Sequence, residues 1–296
     1  MIKIGLIGYN EGNGHPYSFS AIINGYNDEH MSKCPYPVVY SYLKARPKEE
    51  LVLEGMKLTH IWTPVLNISR DIALCGNIAT VVSEYHEMCD EVDAVIIARD
   101  DVDSHFEIAK FFLDKGKFVF VDKPLCRNEK ELDYFIPFLY AGRLMTCSGL
   151  RYKSEIRSSF YGRLNKEDIL FVNATSVLDW YKYAIHVLEG LTPILGYDIK
   201  EVVPLHDAHN FMAKILYKDN KSLMIQINKE YPLGIEATIY TKTQKFTIDF
   251  NDNFGCFRYM LCEFRRMIME QAPIVHPEET IAILRAVMKG GEHAYE

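Results

Sequence analysis

Residues 8–16 read Gly-Tyr-Asn-Glu-Gly-Asn-Gly-His-Pro, a composition suited to cradling a phosphate. Glycines permit tight turns and let backbone N–H groups approach an anion, and a helix that follows adds the positive end of its dipole. Gly8, Gly12 and Gly14, with Asn10, Asn13 and His15 between and beside them, are therefore candidate contacts for a pyrophosphate. The spacing is not Gly-x-Gly-x-x-Gly, because Asn10 takes the second glycine's place and the loop is several residues longer. A glycine-rich surface loop without a ligand is the other reading of the same residues.

A cradle of this kind needs a strand before it and a helix after it. Residues 2–8 are an apolar run closed by glycine, and a helical stretch starts near Ser18. A second strand over 57–63, a helix over 69–75 and a third strand over 80–82 continue the alternation. Dinucleotide folds place Asp or Glu at the end of the second strand to bind the ribose 2′-OH. Here the strand ends His60-Ile61-Trp62-Thr63, so Thr63 holds that place. Arg70 could meet a 2′-phosphate instead, or stand as a solvated helix arginine, which leaves NAD and NADP both open. Residues 92–98 and 118–121 read as fully buried strands joined by an amphipathic helix over 105–113. Parallel strands with helical crossovers follow.

After about Leu150 strand-like runs succeed one another, over 169–177, 199–205, 211–217, 223–228, 235–241 and 246–250. Consecutive strands predict an antiparallel sheet. Helices are expected over 180–191 and 254–270, with a last one opening at Pro277-Glu278-Glu279, where proline and acids suit a helix start. The fold class is therefore α/β over 1–124, followed by an α+β domain over 125–296 with a mostly antiparallel sheet, whose last helix could pack back on the first domain.

Length and composition agree, since 296 residues suit two domains of roughly 150 each. A 48% hydrophobic and 25% charged composition excludes disorder. The net charge of -7 argues against a broad basic surface for nucleic acid or anionic lipid, and favours small-molecule partners. No apolar run approaches the ~18 residues of a membrane span and no cleavable signal anatomy follows Met1, so a cytoplasmic protein is expected. Seven cysteines without a Cys-x-x-Cys pair point to reduced thiols. His206-Asp207-Ala208-His209 is the one cluster with a metal-like look, but no third ligand is evident nearby, and no metal is expected.

Residues 92–125 carry the most information: a buried strand, a polar Arg99-Asp100-Asp101 corner, His105, a helix, and a strand ending Asp122-Lys123-Pro124. This run resembles the glucose-fructose oxidoreductase / inositol dehydrogenase / MocA (Gfo/Idh/MocA) family, in which the fourth strand leads to a His and the fifth ends in Glu-Lys-Pro. The resemblance implies a nicotinamide-binding Rossmann domain and a dehydrogenase acting on a sugar, cyclitol or nucleotide-linked sugar. It implies that Arg99, Asp100, His105, Asp122 and Pro124 line the cofactor, although His105 could instead cap the helix that begins near Ser104. It makes Lys123 the first candidate for a catalytic or substrate-orienting cation, and a desolvated lysine near a cationic ring can handle a proton at neutral pH.

The resemblance extends, more weakly, into the second domain. Gly149-Leu150-Arg151-Tyr152 is similar to the family's entry to its substrate domain, and Gly162-Arg163-Leu164 to the turn before the next strand. Residues 180–189 resemble the helix that carries the family's catalytic His, which assigns that role to His186 and places Arg151, Tyr152, Tyr181, Lys182 and Tyr183 among the substrate contacts. Typical members have Asp four residues before this His; here Lys182 stands there, which would suit an anionic substrate such as a uronic or sialic-type acid. A homo-oligomer, dimer or tetramer, is implied through the open sheet. Two alternatives stay open: a ligand-binding or regulatory protein that has lost turnover, and an NAD-dependent glycoside hydrolase.

Overall fold

The computed structural model describes residues 1–294. Residues 295 and 296, the end of the expected second domain, lie outside the described residues. The chain divides into two compact units. The first takes in Met1–Cys126, Asp133–Thr146 and Phe257–Ile274; the second takes in Arg127–Leu132, Cys147–Cys256 and the residues from Val275 onward.

The first unit is built on a six-stranded parallel sheet in the order β3-β2-β1-β4-β5-β6. Its strands are β1 (Ile2–Ile7), β2 (Met56–Trp62), β3 (Thr80–Val81), β4 (Ala94–Ile97), β5 (Phe118–Val121) and β6 (Leu144–Met145). β4 and β5 are buried along their whole length, which is why both are apolar at every position. The strand order reverses between β1 and β4, and in open parallel sheets that reversal opens a crevice at the carboxyl ends of the strands.

Helices α1 (His15–Asn24), α2 (Asp28–Met31) and α3 (Pro37–Lys44) lie between β1 and β2, and α4 (Leu66–Cys75) follows β2. Helix α5 (His105–Asp114) joins β4 to β5, and α6 (Glu129–Tyr140) precedes β6. α1 buries Tyr17, Phe19, Ile22 and Ile23. Phe19 packs edge-on to Phe120 of β5 and to Phe257, whose ring centroid is 5.3 Å away.

Three features of this unit differ from the sequence expectation. The helix expected from Ser18 begins three residues earlier, because Pro16 is well placed in a first helical turn. The stretch between α1 and β2, where the sequence shows no strong period, holds α2 and α3, with the Tyr42 hydroxyl donating to Ser18 Oγ at 2.5 Å. The expected boundary after residue 124 assigns everything later to the second domain, whereas residues 133–146 and 257–274 belong to the first unit. Strand pairing and apolar burial explain both returns. β6 adds to the edge of β5, and residues 257–270 bring Phe257 to Phe19 and Phe264 to Phe120.

The second unit holds a six-stranded sheet in the order β12-β11-β7-β10-β9-β8. Short α7 (Ser154–Arg157) and α8 (Ser159–Gly162) precede β7 (Ile169–Ser176). Next come α9 (Trp180–Leu195), β8 (Ile199–Pro204), β9 (Asn210–Tyr217), β10 (Ser222–Asn228), β11 (Glu236–Thr241) and β12 (Lys245–Asp249). Helix α10 (Asn253–Glu270) starts in this unit, and α11 (Pro277–Gly290) lies wholly within it, so the last helix is counted with the second unit. Every neighbouring pair is antiparallel except β7 with β10. Phe211, Ala213, Ile215 and Tyr217 alternate inward along β9, as Leu223, Ile225 and Ile227 do along β10. α9 packs on β7 and β10, and runs one turn past its expected end, through Pro193. Trp180 sits against Gly290 of α11, where a Cβ would come within 2.4 Å of its ring.

Two glycines of the first unit separate backbone strain from crowding. Gly116 and Gly142 both have left-handed backbones, at φ +74° and +61°. A Cβ on Gly116 meets nothing within 4 Å, while one on Gly142 would lie 2.5 Å from the backbone carbon of Ala272. Gly116→Ala is expected to cost about 1 kcal/mol of stability, the left-handed strain alone. Gly142→Ala should cost about 3 kcal/mol or more, because the chain at Ala272 must shift as well. Denaturant midpoints of the two variants check this order.

Candidate functional site

In the first unit the candidate residues converge on the carboxyl ends of β1, β4 and β5. The loop that follows β1 is fixed from the β4 side by two clamps. Asn10 accepts the Asp100 backbone N–H on Oδ1 at 3.0 Å and donates from Nδ2 to the Asp100 carboxylate. Arg99 donates to the Tyr9 carbonyl at 3.0 Å, while its other nitrogens engage Asp101 and Ser104. Arg99 is thus occupied in shaping the loop, a structural duty that its sequence position alone did not show.

The three loop glycines do different things. A Cβ on Gly8 would come within 2.8 Å of the Pro16 ring, so this glycine permits the close passage of loop and helix. Gly12 has φ +84° and nothing within 4 Å of a Cβ position, which leaves its backbone approachable. Gly14 lies under Tyr36, whose ring would be 3.0 Å from a Cβ. Tyr36 immediately precedes α3, so the segment that the sequence left without elements covers the end of the cradle.

Asn13 bears most directly on whether a dinucleotide fits. It is buried, its Oδ1 accepts the His15 backbone N–H at 2.8 Å, and its Nδ2 has no hydrogen-bond partner among the described residues. A buried amide donor without an acceptor costs stability unless something supplies one. The start of α1 contributes less than an ordinary dinucleotide loop, because the His15 N–H is taken and Pro16 has none. A diphosphate here would draw on Asn13 Nδ2 and on the backbone around Gly12. On these two features the cradle suits a phosphate-bearing ligand.

Asp122, at the end of β5, is 3% exposed, and its carboxylate pairs with Nδ1 of His15. The His15 ring stacks on Phe19 at 5.1 Å and meets Phe257 edge-on. Burial alone pushes the Asp122 carboxyl up; the His15 ring, the Lys123 charge and the Lys123 backbone N–H outweigh it and hold the group well below the usual carboxylate range. Lys123 is also 3% exposed.

His105 is fully buried. Its ring nitrogens face the carbonyls of Pro124 at 2.8 Å and Arg99 at 2.9 Å, and burial pushes its imidazole down against those contacts. It links the segments that follow β4 and β5 and is fully buried. Thr63 is likewise buried, with its N–H donating to Ser69 Oγ and its hydroxyl to the Val65 carbonyl. Arg70 is exposed on α4.

In the second unit Arg151 is 8% exposed and lies in an ion-paired cluster, donating from Nε to Glu189 at 2.7 Å and from Nη1 to Glu279 at 2.9 Å. Burial pushes the Glu189 carboxyl up, against the pull of the Arg151 guanidinium. This pairing engages Nε and Nη1 of Arg151, while its buried Nη2 has no hydrogen-bond partner among the described residues. Tyr181 donates to the Gly291 carbonyl at 3.1 Å, and the Lys182 backbone N–H is capped by Asp179. Tyr152, Lys182, Tyr183 and His186 are half-buried, and the Tyr183 and His186 rings lie 5.8 Å apart on α9. His186 Nδ1 meets the hydroxyl of buried Ser148 at 2.6 Å. Sequence reasoning missed Ser148, because nothing in its neighbours marks a serine 38 positions away as the partner of a histidine.

Among the described residues no three His, Cys, Asp or Glu side chains group as metal ligands, and no helix is long and apolar enough to cross a membrane. The His206 Nδ1 accepts the Met212 backbone N–H.

Comparison with known proteins bears on this geometry. Residues 35–136 match the family model GFO_IDH_MocA, described as an oxidoreductase family with an NAD-binding Rossmann fold. The match covers the resemblance read from residues 92–125 and begins after the glycine loop. No curated protein matches the chain. Among solved structures, myo-inositol 2-dehydrogenase from Lactobacillus plantarum superposes with a TM-score of 0.76 at 14% identity, covering 99% of this chain and 97% of its own. Scyllo-inositol dehydrogenase from Lactobacillus casei, solved with NAD(H) and scyllo-inositol, gives 0.74 at 14% identity, covering 100% and 97%. UDP-N-acetylglucosamine 3-dehydrogenase from Acidithiobacillus ferrooxidans gives 0.71 at 13%, covering 97% and 95%. The Rossmann unit followed by a mostly antiparallel sheet is therefore the fold of these proteins.

The depressed Asp122 carboxyl has a testable sign. Its folded value lies below its unfolded value of about 3.9, so the unfolded chain binds more protons as pH falls through that range. The stabilisation is complete above about pH 5 and is withdrawn on acidification. Asp122→Asn should therefore be less stable than the parent at pH 7, with the gap closing toward pH 3, as urea midpoints across pH would record.

Proposed function

We propose that the chain is an NAD(P)-dependent oxidoreductase that transfers hydride between a nicotinamide cofactor and a hydroxyl or keto group of a sugar, cyclitol or nucleotide-linked sugar. The observation that carries this reading is the loop at the strand-order reversal, where the approachable Gly12 backbone and the orphaned Asn13 amide lie in a parallel sheet whose β5 ends in Asp122-Lys123-Pro124. The matched family description and the inositol and nucleotide-sugar dehydrogenases of the same fold support it.

Gly12, Asn13 and the backbone that leads into α1 would hold the diphosphate, with Asn10 and Arg99 keeping the loop in place. The bound nicotinamide would supply the hydride donor or acceptor. Lys123 would hold the reacting oxygen and stabilise negative charge developing on it, as positioned donors do in a site closed to water. His186 would serve proton transfer, with Tyr183 and Lys182 beside it on α9 as sugar or anion contacts. The first unit is thus the cofactor-binding part and the second the substrate-binding part. A soluble cytoplasmic homo-oligomer, dimer or tetramer, completes the proposal.

A second reading, a ligand-binding protein without turnover, draws on the use of the His15 amide by Asn13 and of Arg151 by Glu189 and Glu279.

Titration of stripped protein with NADH and NADPH separately, followed by fluorescence, tests the first reading: binding of one or both at micromolar levels is expected. Binding of neither would put the second reading first. Gly12→Val should weaken that binding at least tenfold, beyond the loss of stability of about 1 kcal/mol or more that its left-handed backbone imposes on any side chain. In a screen of myo-inositol, scyllo-inositol and UDP-N-acetylglucosamine, Lys123→Ala should lower kcat about 100-fold on whichever is turned over.

A further inference from the structure

Ser148 is 2% exposed, and its hydroxyl has two partners, the Leu150 backbone N–H at 3.2 Å and His186 Nδ1 at 2.6 Å. A hydroxyl carries one hydrogen and two acceptor lone pairs. The Leu150 N–H uses a lone pair, which leaves Nδ1 as the acceptor for the hydroxyl hydrogen. If Nδ1 carried the ring proton instead, two N–H donors would converge on Oγ and the hydroxyl hydrogen would be buried with no acceptor among the described residues. A buried donor left unmade disfavours that arrangement by about tenfold or more.

We infer that Ser148 holds neutral His186 with its proton on Nε2, so that His186 meets a ligand oxygen as a hydrogen-bond donor. Lys182 is consistent with this arrangement. A carboxylate beside the ring would draw the proton to Nδ1 and leave Nε2 as a base, as in carboxylate-oriented histidines. The residue one helical turn before His186 is a cation, which offers Nδ1 no acceptor. The inference rests on the oxidoreductase reading only for the ligand's identity: the oxygen that His186 contacts is one that accepts, the keto oxygen of a sugar or cyclitol or the alkoxide developing from it. Ser148 acts through His186 and is a positioning residue.

Multiple-bond ¹⁵N–¹H NMR of the full chain with ¹⁵N-labelled histidine, near pH 8 where imidazoles are neutral, reads the tautomer directly. His186→Gln identifies the signal. An unprotonated Nδ1 and a protonated Nε2 are expected in about tenfold excess over the other form. Ser148→Ala should reduce that excess at least about threefold, and Ser148→Thr, which keeps the hydroxyl, should restore it. A role of Ser148 limited to capping Leu150 would alter the melting temperature of Ser148→Ala and leave the ratio alone. A parent protein with Nδ1 protonated, or an Ala variant with an unchanged ratio, overturns the assignment. NADH titration of the same samples separates the two claims. Failure to bind with the stated tautomer removes the oxidoreductase reading alone, and binding with protonated Nδ1 removes the Ser148 assignment alone.

Discussion

A carboxylate shut away from water must be neutralised where it stands, and the first unit is arranged around the way Asp122 is. Its partner, His15, is the residue on which α1 begins, so the ion pair ties the start of the first helix to the end of the fifth strand. That tie fixes one end of the glycine loop. The Asn10–Asp100 and Arg99–Tyr9 clamps fix its middle from the β4 corner, and Tyr36 closes on Gly14. A loop of unusual length and spacing is thereby held without the regular glycine pattern, because side chains do what the tighter turn would otherwise do.

Much of the fold was legible because its signals are local. β1, β4 and β5 are short apolar runs closed by turn residues, and the strands of the second sheet alternate cleanly between faces. The convergence of the loop with Asp100 and Asp122 was legible too, since it follows from parallel topology. What could not be read depends on partners distant in sequence. Nothing beside Arg151 in the sequence shows that Glu279, 128 positions on, pairs with its guanidinium. His105 looks like a pocket wall until both its nitrogens are found on carbonyls. β6 has only two residues, too few for any period to show.

The two imidazoles near the candidate chemistry are held by opposite means. His15 faces a buried carboxylate and His186 a buried hydroxyl, so one ring is oriented by a charged partner and the other by a neutral one. The family match beginning at residue 35 has a physical counterpart in this arrangement. The strands and crossovers beyond that point follow ordinary parallel-sheet rules, while the loop before it is held by the Asn10–Asp100 and Asn13–His15 contacts.

The return of residues 257–274 to the first unit has a consequence for biosynthesis. Phe19 and Phe120 are covered by Phe257 and Phe264, which leave the ribosome well over a hundred residues later. Throughout that interval the nascent sheet has two aromatic rings without their covering partners, a hydrophobic surface of the kind that chaperones bind. The first unit to be translated is therefore not the first to be finished, and its folding closes only when the chain has passed through nearly the whole of the second.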